Sequence, residues 1–173
     1  IILDETTGFE DLRIPPTVSA VHRQLLLTRL ILSWPREGRK ITLDQAGRLA
    51  NDLCRLLDQV QTARLTFDGF ATLVPAEYAA HWQGTLEFLK ILIKHWPVIL
   101  AEFDALDPAE HRNQSLAAQR TAWIRNPPNN PIIVAGATGS IPATVDLLAT
   151  VVTLPEGRVI LPGLMRHADE REW

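Results

Sequence analysis

The stretch of this chain best suited to holding an anion is Gly136-Ala137-Thr138-Gly139-Ser140. Its two glycines allow a tight turn. The Thr138 and Ser140 hydroxyls stand among backbone N–H groups that can cradle a phosphate where a strand runs into a helix. The spacing fits neither common nucleotide fingerprint. A Walker A loop places four residues between its glycines and a Lys after them, whereas only Ala137 and Thr138 separate Gly136 from Gly139 and no Lys follows. The dinucleotide fingerprint needs a third glycine about where Pro142 stands. Two readings stay open: phosphate or DNA-backbone contact through Gly136, Thr138, Gly139 and Ser140, or a plain tight turn with Ser140 capping the next helix.

Other reactive side chains are scattered. His81 and His95 share one helical pattern, but fourteen residues of helix set them about 21 Å apart, too far to share a metal. No two of His22, His81, His95, His111 and His167 show the three- or four-residue spacing of helix-borne ligands. Cys54, the one cysteine, follows Leu53 on the apolar side of its helix and reads as an inert buried thiol. A magnesium nuclease would want an Asp and a Glu-x-Lys on neighbouring strands; no Glu-x-Lys occurs. Neither a catalytic residue nor a metal site is therefore assigned.

Positive charge collects early. Residues 13–64 hold nine Lys/Arg against four Asp/Glu, and residues 65–110 hold two against seven. Arg23, Arg29, Arg36, Arg39, Lys40, Arg48 and Arg55 could face phosphates. Arg48 and Arg55 have acidic neighbours at helical spacing, so Arg36, Arg39 and Lys40, in a charged turn, are the better DNA candidates. The net charge of −3 excludes a globally basic coat protein. A single cysteine excludes a disulfide framework and a self-contained iron–sulfur cluster. No long uncharged apolar stretch reads as a membrane span, and 46% hydrophobic content suits a globular core.

These groups must be positioned by mostly helical elements. After a strand end and acidic linker over 1–12, Pro15-Pro16 precedes a helix from Thr17 or Ser19 to about Trp34. Its two apolar stripes (Val18, Val21, Leu25, Leu32 and Leu27, Leu30, Ile31, Trp34) predict a helix central to a bundle. Thr42 to Gln45 matches a capping box, opening a helix with a stripe from Leu43 to Val60. A short helix follows Thr66, then a long pattern from Glu77 to Phe103 with a kink or break at Pro97. Asp107 caps a further helix that turns Leu116, Trp123 and Ile124 inward and ends near Arg125. The tract Asn126 to Pro131 is the internal boundary. Beyond it, Ile132–Ala135 and Arg158–Leu161 read as buried parallel strands around a helix begun by Pro142. Two such strands do not make a stable sheet, so either more strands lie outside the segment or the second pairs with residues 1–3. The opening Ile1-Ile2-Leu3 suggests a piece of a longer polypeptide. The fold class is mainly α with a small α/β part: a helical subdomain over 13–126, a β-α-β layer over 130–165 and a tail over 166–173.

Several strings extend this reading. Arg23 to Leu32 (RQLLLTRLIL), Leu56 to Thr62 (LLDQVQT), His81 to Leu89 (HWQGTLEFL), Ile133 to Thr144 (IVAGATGSIPAT) and Val159 to Leu164 (VILPGL) resemble the AddB subunit family of the AddAB helicase–nuclease, alphaproteobacterial type. The resemblance implies a segment of the helicase-like N-terminal region, with 130–165 part of a RecA-like fold. It further implies a cytoplasmic DNA double-strand break repair and recombination machine, an AddA-type partner subunit, and DNA in the full complex. ATP, Mg²⁺ and an iron–sulfur cluster would belong elsewhere in the parent chain, and this segment would be non-catalytic, shaping the DNA channel and contacting the partner. The residues alone also allow an autonomous helical protein–protein interaction module, or, with less in its favour, a small nucleotide-binding enzyme.

Overall fold

The structure, a computed structural model, describes residues 13–33, 41–66 and 79–163, and only the backbone of residues 79–87, 90 and 91. Among the described residues the chain is mainly helical with one small parallel sheet, as the apolar periodicities predict. It falls into two compact units. One is Ile14–Arg112; the other is Asn113–Trp173 together with Ile1–Arg13.

The first unit is built on α1 (Ala20–Ser33), α2 (Leu43–Thr62) and α3 (Ala79–Glu102). Helix α2 starts at Thr42 with both arms of the capping box: Thr42 Oγ1 accepts from the Gln45 N–H, and Gln45 Oε1 accepts from the Thr42 N–H. Two backbone donors at the helix start are thereby satisfied. The α2 stripe then buries Ala46, Ala50, Leu53, Leu57 and Val60. Leu43, first in that stripe, is exposed. The α2 stripe meets Leu27 and Ile31 of α1 and Phe88, Leu92, Trp96 and Leu100 of α3 in one apolar core. Ala46 and Ala50 put small side chains into the core that α1 and α2 share.

Two expectations change here. Of its apolar side chains helix α1 fully buries Leu27 and Ile31; Val21 (69% exposed) and Leu25 (62%) face outward, so among the described residues α1 lies on the outside of the core. The short helix after Thr66 lies outside the described residues. Helix α3 is not broken at Pro97. Proline removes one backbone donor, but Trp96 and Leu100 on either side of it are anchored in the same core, which holds the helix together through that turn.

Helix α4 (Pro108–Arg125) carries the chain across the division between the units, which falls between Arg112 and Asn113. Beyond it, Leu116 and Trp123 of α4 pack with Ala143 and Leu147 of α5 (Pro142–Thr153). Ile124 is 60% exposed rather than inward. One helical step turns it by about 100° from Trp123, off the Leu116–Trp123 face. Strands β1 (Ile132–Ala135) and β2 (Gly157–Ile160) pair in parallel, Ile132 opposite Gly157 and Ala135 opposite Ile160. Helix α5 packs against both strands. Alternate residues are half-buried, and Ile133, Ala135, Arg158 and Ile160 are exposed. The expected strand–loop–helix–strand unit is therefore present, and the face away from α5 is the more exposed one.

Candidate functional site

The Gly136–Ser140 loop leaves the carboxyl end of β1 and enters α5, where parallel sheets commonly present ligand sites. Gly136 (φ 80°) and Gly139 (φ 69°) both take left-handed backbone, so each glycine has a conformational reason. The Gly136 N–H donates to the Ile160 carbonyl, tying the loop to β2. The alternative role for Ser140 changes: the N-cap of α5 is Ile141, with no side-chain cap. Ser140 Oγ instead lies 3.0 Å from Thr138 Oγ1, both exposed. The loop thus displays two hydroxyls beside a helix start whose first residue, Pro142, needs no cap on its missing N–H.

The basic candidates separate. Arg36, Arg39 and Lys40 lie outside the described residues. Arg29 and Arg55 are exposed, and Arg48 pairs with Asp44 one helical turn away, both in solvent. Such a pair is worth a few tenths of a kcal/mol (~0.3–0.5). Arg23 is a correction. It is 4% exposed and cannot reach a DNA backbone. Its Nη1 donates to Asp58 Oδ1 at 2.8 Å, and its Nε lies 2.7 Å from Asp107 Oδ1, a charge contact off the line of a hydrogen bond.

Asp107 is the unforeseen centre of this polar cluster. It is 1% exposed, and its Oδ2 accepts from Gln61 Nε2 at 2.7 Å and from Trp96 Nε1 at 2.9 Å. Its backbone carbonyl accepts from the His111 N–H in the first turn of α4. One carboxylate thus joins side chains of α1, α2 and α3 at the start of α4. No spacing rule announces a pairing of residues so far apart in sequence. The visible signals were an Arg in an apolar helix and an Asp at a cap position, and each had a local explanation.

Among the described residues, the remaining titratable groups do not converge. His22 and His95 are exposed, His22 sitting edge-on to Phe103 with ring centres 4.9 Å apart, and His111 is half-buried. His167 and the His81 side chain are outside the described structure. Among the described residues, no group of three or more His, Cys, Asp or Glu could hold a metal ion. Likewise, no described helix is long and apolar enough to cross a membrane.

Cys54 is half-buried, and burial pushes its thiol above the ordinary range, partly offset by the Arg23 charge. The thiol form is thus favoured in the folded state, while an unfolded chain ionises at lower pH. Its contribution to stability is full below the unfolded pKa and is lost as pH rises through the folded value. The expected result is slow alkylation by iodoacetamide at pH 8, accelerated at least tenfold in urea. Equal rates in both states would contradict the buried environment.

No protein-family model, no curated protein and no solved structure matches this chain.

Proposed function

We propose that this chain is a non-catalytic segment of an AddB-type helicase–nuclease subunit, helping to repair and recombine DNA at double-strand breaks in the cytoplasm. In this reading the helical unit shapes the DNA channel and contacts an AddA-type partner. The β-α-β part belongs to a RecA-like layer, and the Gly136–Ser140 loop meets the nucleic-acid backbone. One observation supports the framework role: among the described residues, a parallel two-stranded sheet is covered by α5 on one face and presents Ile133 (61% exposed) and Ile160 (58%) on the other. Parallel sheets are normally covered on both faces, and two strands alone are marginal. A sheet left in this state is built to be completed by further structure.

The test is an ATPase assay on the purified chain, with fluorescence anisotropy of a labelled DNA duplex at rising salt. Background ATP hydrolysis and DNA binding that weakens steeply with salt are the expected results. Robust hydrolysis, or no DNA binding at low salt, would remove the proposal. A second reading, an autonomous helical interaction module, draws on the exposed Val21 and Leu25 of α1. It calls instead for a protein partner held by apolar contacts that persist at high salt.

A further inference from the structure

The two edges of the parallel sheet are not equivalent. The Ile132 N–H donates to the Glu156 carbonyl, and the Gly136 N–H to the Ile160 carbonyl. Backbone groups alternate sides along each strand of a parallel ladder. Those of Pro131, Ile133 and Ala135 therefore point away from β2, and those of Gly157, Val159 and Leu161 point away from β1. Proline has no N–H. Pro131 thus removes a donor from the outer edge of β1, whereas Pro162 lacks one on the side that faces β1. The Gly157 N–H is spent on the Leu154 carbonyl. The β2 edge offers the Val159 and Leu161 donors with the Gly157 and Val159 acceptors, and among the described residues no strand takes them.

We propose that Ile1-Ile2-Leu3, outside the described residues, docks on this edge as a third strand, parallel to β2 with Ile2 opposite Val159. The docking does not rest on the helicase–nuclease reading. The compact unit that contains the sheet also takes in Ile1–Arg13, which puts this segment with the sheet rather than with the helical unit. Apolar side chains stand exposed on both sides of the sheet: Ile133 and Ile160 on the face away from α5, Val145 and Val152 along one stripe of α5 itself. A strand added between two such layers needs apolar residues at successive positions rather than alternate ones. Ile1-Ile2-Leu3 supplies them. The acids that follow select the direction. Antiparallel pairing would set Glu5 against Glu156, and like charges directly opposite are unfavourable. Parallel pairing sets Glu5 beside Pro162 instead.

Amide hydrogen exchange of the whole chain, read by NMR, tests the proposal. The Val159 and Leu161 amides should exchange at least about a hundredfold slower than unpaired amides, with nuclear Overhauser contacts between Ile2 and Val159. Leu3→Pro removes the N–H that would meet the Val159 carbonyl. It should speed exchange at Val159 and Leu161 by about tenfold or more, while the α2 amides keep their protection. Thr6→Pro, beyond the added strand, should leave both rates within about twofold. The proposal is overturned if Val159 and Leu161 exchange like unpaired amides in the parent, or if Leu3→Pro leaves their protection intact. It also falls if Thr6→Pro loses as much as Leu3→Pro. Protection that fades on dilution would assign the edge to a second copy of the chain and would equally overturn it.

Discussion

Replacing Asp107 with alanine is expected to lower the stability of the chain by about 3–5 kcal/mol, the usual cost of removing one partner from a buried ion pair. The substitution leaves Arg23, 4% exposed, with Asp58 as its one remaining anion among the described residues, and Asp58 is itself 46% exposed. It also takes the acceptor from Trp96 Nε1 and from the Gln61 amide. A typical domain is held by only ~5–15 kcal/mol, so much of the folded margin is at stake. Asp107→Asn keeps one oxygen for the indole but loses the charge and sets an NH2 where Oδ1 met Arg23, so its cost should be only somewhat smaller, about 3 kcal/mol. Urea denaturation followed by circular dichroism gives both values. A D107A variant within about 1 kcal/mol of the parent would show that the cluster is not the tie between helices that its geometry implies.

A second large effect is expected at Gly157, where β2 begins. A Cβ there would lie 1.7 Å from the Val151 carbonyl oxygen and 2.8 Å from its carbon. These are backbone atoms at the end of α5, fixed by the Leu154 N–H bond to the same carbonyl and by the Gly157 N–H bond to Leu154. No flexible side chain can yield. Gly157→Ala should therefore cost ~3 kcal/mol or more, at or beyond the upper end of ordinary overpacking. Hydrogen exchange should show lost protection at Val134, Val159 and along α5, while α2, in the other compact unit, keeps its own. Unchanged protection at Val159 would mean that the turn accommodates a side chain.

Local chemistry made much of the architecture legible. The Thr42–Gln45 capping box and the Ala46 to Val60 stripe mark α2 because both follow the helical repeat. The β-branched runs at Ile132 and Val159, separated by a proline-started helix, mark the parallel unit for the same kind of reason. The outward stripe of α1 was not legible: periodicity reports that a face is apolar, not whether a neighbour covers it. The loop at Gly136 was legible as a turn, while the pairing of Ser140 with Thr138 in place of a helix cap depends on where Pro142 starts α5.

The same distinction separates Arg23 from Arg48. By sequence both are arginines on amphipathic helices with acids elsewhere in the chain. Arg48 meets Asp44 one turn away in solvent. Arg23 meets Asp107 only after three helices have closed around it. Short-range order of helices, caps and strands is written in neighbouring residues, because backbone bonds and side-chain periodicity act over a few positions. Which polar groups are buried together, and which apolar faces stay bare, was decided by tertiary packing, because burial is a property of the whole neighbourhood rather than of any stretch of chain.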